Sequence, residues 1–356
     1  MWIRSLLVAL CLLPLACSRT VDVPGPATES VRTSGDPAQQ ISTAAAAETP
    51  AASEDPLQST QWPAARLEAG QASISCEVDY AAHGDGRRLR SLEFFPMVDA
   101  MNACQQTGVV RLRYRGKVRA GFSDLVQRVA AMADRMEIRE RILDIDSSGG
   151  HVEEAIKAGD VIGGSRWQVW VREGSQCHSA CVLVLAAGDT RAIEGKVGIH
   201  RLMRDRSSAR SRAELAAELR DINAQVRDYL DRNGVAMAVA DLMMTVPNRD
   251  LRLLTAEELG EYGLSGTNAV QDDLDRIIVM RKCGDEFSQR RDAFARAFDS
   301  ECMQPGIDST ECGLSLRERF GFPDAKCPAE SPMSAQDLNL HRRRAAAEES
   351  TPVAAR

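Results

Sequence analysis

The sequence predicts an α/β fold with parallel strands and helices as right-handed crossovers, on three observations. Strand-like segments with alternating apolar residues are separated by segments whose apolar residues recur every 3.6 positions. Glycine or serine stands at the junctions, and the alternation runs β-α-β-α-β from Val109 to Val171.

The chain has 356 residues and a formal charge of -7, with Lys and Arg scattered along it. That length supports one catalytic domain with an extension, on roughly 200 to 250 packing residues once the low-complexity ends are set aside. The charge pattern offers no electrostatic footprint for nucleic acid, so that partner class is excluded.

Residues 1–17 carry Arg4 and then the apolar stretch Ser5 to Ala16, which matches a secretory signal and is too short for a stable membrane span. The mature protein is therefore expected outside the cytoplasm, in the periplasm or envelope. Leu13-Pro14-Leu15-Ala16-Cys17 resembles a bacterial lipoprotein cleavage site, with Cys17 as the lipidated residue and a membrane tether. Pro14 fits that pattern poorly, and lipid anchoring and plain secretion stay equally open. Residues 18–74 are rich in Ala, Ser, Thr, Pro and Gln, a composition that cannot offset backbone ordering entropy, and read as a disordered linker.

Order is expected from Cys76 onward. In Val109 to Val118, Val110, Leu112 and Tyr114 alternate with Arg111, Arg113 and Arg115, which predicts one packed and one wet face. Leu125, Val126, Val129, Met132, Ala133 and Met136 predict a helix with Ser123 as its cap. Ile142 to Ile145 is a short strand leading into Gly149-Gly150, then Val152, Ala155, Ile156, Gly159 and Ile162 mark a helix, and Trp167 to Val171 a strand. Lys196 to Ile199 is strand-like. From Ser211 a long projecting helix is expected, with Ser211 and Glu214 as a capping pair, a stripe of Leu215, Leu219, Ile222, Val226 and Leu230, and Gly234 at its end. Thr255 and Glu258 form a second capping box, closed by Gly263, so Glu258 reads as a cap rather than a catalytic acid. Residues 75–282 make the main domain, 283–331 a cysteine-bearing helical extension, and 332–356 a disordered tail.

Ten cysteines become eight without Cys11 and Cys17, and an even set in an exported chain reads as disulfides. Cys76 with Cys104, and pairings among Cys283, Cys302, Cys312 and Cys327, are expected from proximity; Cys177 and Cys181 either bridge, stiffening the turn between them, or are each buried.

The chemistry concentrates around Ser179, in Cys177-His178-Ser179-Ala180-Cys181 before the apolar run Ala180 to Ala187. Acyl transfer needs a hydroxyl on an exposed turn, an imidazole to take its proton, and amide donors for the oxyanion. Ser179, His200 after Gly198-Ile199, and the amides of Gly150 and Ala180 supply those types in a workable order. Each part has a bland reading as well: an N-cap serine, a structural strand histidine, a tight Gly-Gly turn. Zinc on Cys177, Cys181, His200 and His178 is the competing chemistry, disfavoured by the disulfide reading; Lys117, Lys157 and Lys196 are alternative bases that no spacing places beside Ser179. No motif calls for a metal or cofactor.

Ile145-Asp146-Ser147-Ser148-Gly149-Gly150-His151-Val152, Ser179-Ala180-Cys181, Gly198-Ile199-His200, and Leu254 to Glu258 with Glu261-Tyr262-Gly263-Leu264 together resemble the Clp protease proteolytic subunit and its relatives in the ClpP/crotonase superfamily, over about Val109 to Val270. The likeness is greatest to exported bacterial ClpP-like proteins. It implies a spiral of β-β-α units, Ser179 as nucleophile, His200 as base, Gly150 and Ala180 as oxyanion hole, and Asp250 as the carboxylate orienting the imidazole. It also implies peptide or protein hydrolysis through an acyl-enzyme, and a homo-oligomer. Ser148 replaces the family's usual proline, Cys181 its frequent glycine, the interval from Ser179 to His200 is short, and Asp250 sits one residue beyond the family's offset. Export removes ATP, so no ATPase partner is expected. The rival reading is a non-catalytic envelope scaffold that keeps the fold; crotonase-like thioester chemistry is a third.

Overall fold

A computed structural model describes residues 55–202 and 207–333; the signal segment, Cys17, most of the leader and the tail from residue 334 lie outside the described residues. In chain order the elements are β1 (Gly70–Ser75), α1 (Tyr80–His83), β2 (Arg87–Arg88), α2 (Phe94–Thr107), β3 (Val109–Gly116), α3 (Ala120–Arg135), β4 (Glu140–Asp146), α4 (Val152–Gly164) and β5 (Trp167–Val171). After them come β6 (Gln176–His178), α5 (Cys181–Ala186), β7 (Thr190–Ile193), β8 (Lys196–Ile199), α6 (Arg212–Arg232), α7 (Ala238–Thr245), β9 (Arg252–Leu253), α8 (Ala256–Glu261), β10 (Gly266–Thr267), α9 (Ala269–Cys283), α10 (Asp285–Ala297) and α11 (Ser309–Arg319).

Seven strands form one mixed sheet in the order β10-β7-β5-β4-β3-β1-β2, whose centre, β3-β4-β5-β7, is parallel as the β-α alternation requires. A second sheet, β6-β8-β9, begins where β4 ends: the Ser147 N–H donates to the Gln176 carbonyl at 2.7 Å and the His178 N–H to the Ser147 carbonyl at 3.0 Å. These bonds bring the Gly-Gly turn after β4 beside the end of β6.

Order starts earlier than the composition suggests. Trp62 is buried under the Arg128 guanidinium, 5.4 Å from its ring, and β1 pairs antiparallel with β3 from Gly70 to Ser75. A few large residues in a polar segment are enough when each finds a ready-made surface.

The alternation of β3 is correct in period, but its second face is wet only at Arg115. Val110, Leu112 and Tyr114 enter the main core, where Tyr114 lies 4.5 Å from the Phe122 ring. Arg111 and Arg113, however, are also buried. The segment after β1, tied down by the Cys76–Cys104 disulfide, covers them, so their charge is neutralised internally. Arg113 Nη1 bonds Asp144 Oδ1 at 2.5 Å, Arg172 Nε lies 3.4 Å from Asp144 Oδ2, and Arg111 donates to the carbonyls of Glu77 and Gly84. Arg113 Nη2 reaches on to Ser175 Oγ at 3.1 Å, which anchors the turn that launches β6.

Helix α3 starts at Ala120, three residues before the expected cap, and Ser123 instead donates to the Ala120 carbonyl and contacts Glu154. Ser211 does cap α6, accepting the Glu214 N–H at 3.1 Å. Only the C-terminal half of the apolar stripe of α6 is buried, through Ile222, Val226, Tyr229 and Leu230, with the Tyr229 hydroxyl donating to the Leu183 carbonyl of α5 at 2.9 Å. The Thr255–Glu258 capping box is present in full, so Glu258 serves helix α8.

From α9 onward the chain builds a separate small core of Val279, Phe287, Phe294, Cys302, Leu316, Phe322, Cys327 and Met333. Two disulfides close it, Cys283–Cys327 and Cys302–Cys312. Among the described residues no helix is long and apolar enough to cross a membrane.

Candidate active site

Ser179 follows β6 directly and adopts a left-handed backbone with φ of 56°, a conformation unusual for a residue with a Cβ. The six-residue helix α5 starts two residues later with Ala180 as its cap. This strand-to-helix reversal turns the Ser179 side chain off the path of the strand. Its N–H donates to the Gly198 carbonyl at 2.8 Å. Ser179 Oγ caps nothing: it has no hydrogen-bond partner and, although the residue is only 5% exposed, the atom keeps contact with solvent.

Facing it is the Ser147-Ser148-Gly149-Gly150 turn. Gly149, at φ 92°, lies so close that a Cβ there would come within 2.7 Å of Ser179 Cβ and 2.6 Å of the His178 carbonyl. Ser147 Oγ accepts the Gly149 N–H at 3.1 Å, while the Val118 N–H donates to the Gly149 carbonyl and the His151 N–H to the Val118 carbonyl. Gly150 N–H and Ala180 N–H are left with no acceptor among the described residues. Two unspent amide donors therefore flank the turn that carries a solvent-touching hydroxyl.

His200 follows β8. Its Nδ1 lies 3.0 Å from the Arg201 carbonyl, an oxygen that can only accept, so Nδ1 is the donor and, in the neutral ring, Nε2 carries the lone pair. No hydrogen bond joins His200 to Ser179 Oγ. Asp250 is exposed, its own N–H closing a turn onto the Pro247 carbonyl at 2.9 Å, and it makes no hydrogen bond or ion pair with His200. The ring is oriented by a backbone carbonyl instead. A carbonyl leaves no trace in the sequence, whereas Asp250 comes from the family resemblance.

His178 belongs to this neighbourhood too. The register pairs His178 with Gly198, two residues before His200, and the two rings lie near enough to interact electrostatically. A Cβ on Gly198 would come within 2.9 Å of Leu251 Cδ1 and 3.0 Å of His178 Cδ2, so the two side chains lie close over it. Burial, with His200 adding to it, holds the His178 pKa below the ordinary histidine range and keeps the ring neutral, and its Nε2 is buried without a partner.

Cys177 and Cys181 are joined to each other, so neither supplies a thiolate for a metal. Of the lysines, Lys157 pairs with Asp124 at 3.4 Å, and none of Lys117, Lys157 and Lys196 hydrogen-bonds Ser179.

No protein-family model matches the chain, and no curated protein matches it. Among solved structures, the 1510-N membrane-bound stomatin-specific protease, as a lysine-to-alanine mutant in complex with a substrate peptide, is similar over 43% of this chain and 71% of its own, at 19% identity and a TM-score of 0.36. A serine-to-alanine mutant of the same protease is similar over 46% of this chain and 81% of its own, at 16% identity and a TM-score of 0.35. At those scores the likeness assigns neither fold nor activity to the chain.

Proposed function

We propose that the chain is a serine hydrolase, an ATP-independent peptidase of the cell envelope with a ClpP-like spiral of β-β-α units. The observation that carries this reading is Ser179 in a left-handed turn, its hydroxyl unbonded and wetted, beside two amides without acceptors. Ser179 Oγ attacks an acyl carbonyl, His200 Nε2 takes the hydroxyl proton, and the Gly150 and Ala180 N–H groups receive the oxyanion. The leaving group departs with the proton returned by His200, and water then releases the acyl group by the same steps. The Arg201 carbonyl holds the imidazole tautomer, and ring and hydroxyl close to hydrogen-bond distance when substrate binds, as catalytic pairs that are loose without ligand do. Four disulfides fit an oxidising compartment, which supports export; a periplasmic location with or without a lipid on Cys17 belongs to the same proposal.

A fluorophosphonate probe tests it. Labelling confined to Ser179, lost in Ser179→Ala and strongly slowed in His200→Ala, is the expected result; no labelling of the folded chain overturns it. The missing Ser179–His200 hydrogen bond favours a second reading, a non-catalytic binding protein, in which both variants leave the cellular phenotype intact.

A further inference from the structure

The Cys177–Cys181 disulfide encloses three residues only, and the middle one is Ser179. Ser179 is held in a backbone region that a side chain disfavours, so something must secure it there. Three backbone bonds contribute: Ser179 N–H to the Gly198 carbonyl, His178 N–H to the Ser147 carbonyl, and Val182 N–H to the Ser179 carbonyl. The bridge adds a covalent clamp between the last strand turn and the first residue of α5.

Its position argues against a general role in holding the fold. The other bridges join residues 28, 44 and 10 apart, this one residues 4 apart, and a short closed loop restrains the unfolded chain least. Both half-cystines lie in the completely buried core, where Val182 to Ala187 already fix α5 by packing. What the clamp does fix is the path of the chain through His178, Ser179 and Ala180. That path sets where Oγ points and where the unpaired Ala180 N–H points.

We propose that Cys177 and Cys181 are positioning residues for the serine chemistry: bridged, they hold Ser179 in its left-handed turn, so that Oγ and the Ala180 amide meet the Gly150 amide around one acyl carbonyl. The inference rests on the serine hydrolase reading above.

The test compares fluorophosphonate inactivation of the intact chain with C177A/C181A and with C76A/C104A, following thermal melting alongside. C177A/C181A is expected to lower the maximal inactivation rate at least tenfold, with the probe's half-saturating concentration and the pH profile of labelling unchanged, since His200 is untouched. C76A/C104A is expected to lose more thermal stability yet react at the rate of the intact chain. Reducing the intact chain should slow labelling, and reoxidation should restore it. Should C177A/C181A not fold, C177V/C181A refills the buried volume and takes its place. Labelling of the bridge-free chain within twofold of the intact one overturns the positioning role while leaving the hydrolase reading in force. Failure of both bridge-free variants to fold also overturns it, because the bridge then serves the fold. Absence of labelling in the intact chain overturns the hydrolase reading and this inference with it.

Discussion

The Ser179 turn and the C-terminal extension both carry disulfides, yet the two regions differ in what those bridges can do. The extension buries eight residues, clustered around Phe287, Phe294 and Phe322, and so small a core is stapled by bridges joining residues 44 and 10 apart. Chain entropy gives the longer bridge about 4 kcal/mol. The turn at Ser179 lies inside a large core that folds around it, and a bridge four residues long contributes about 2 kcal/mol at most. Where the core is thin, a disulfide stands in for packing; where it is thick, a disulfide is left to control geometry.

The largest effect that bears on this contrast is chemical. Ser179→Ala should remove fluorophosphonate labelling entirely and His200→Ala should slow it by about 10² to 10⁴-fold, while both leave the melting of the extension where it was. Next in size is C283A/C327A, which should cost about 4 kcal/mol; limited proteolysis should then cut within residues 285–333 while the core stays resistant and Ser179 keeps reacting. Cleavage spreading into the core would show that the two regions fold as one.

Acid separates them further. Burial raises the Asp189 pKa to about 6, with Asp275 adding to the rise. A carboxyl with a raised folded pKa prefers its proton in the folded state, so the core should gain stability, up to about 3 kcal/mol, as pH falls from about 6 to about 4. Asp189→Asn should flatten that gain in a pH series of urea melts. In the extension the directions reverse: Lys282 lowers the Glu330 pKa, Arg319 lowers that of Glu301, and the Lys326 N–H, ahead of Arg290, lowers that of Asp324. Stability from these groups is complete above the ordinary carboxylate range and is lost as pH falls through their depressed values. Hydrogen exchange at low pH should therefore quicken first in α10 and α11. The smallest change is Tyr229→Phe, which removes the bond to the Leu183 carbonyl and should cost about 1 kcal/mol, read in the core transition alone.

Much of this framework is legible in the sequence. Periodicity places β3, β4, β5, α3 and α4, chain proximity pairs Cys76 with Cys104, and Thr255 with Glu258 marks a helix start that the structure reproduces. Gly149 and Gly198 signal close approach, and side chains do close over both. What stays hidden depends on partners distant in sequence. Arg111 and Arg113 of β3 look solvent-facing until Asp144, Arg172 and the segment after β1 enclose them, while Arg115 stays exposed. The backbone angle of Ser179, the direction of His178 and the part played by the Arg201 carbonyl depend on strand register, which no single segment encodes.

Gly149 offers a way to sort related chains by eye. Any side chain at that place collides with the serine Cβ and the His178 carbonyl, and the φ of 92° resists one in any case. A substitution there would deform the Ser179 turn while sparing hydroxyl and imidazole alike. If the chain is the hydrolase proposed above, a variant that keeps both groups but carries a side chain at this glycine is expected to be inactive.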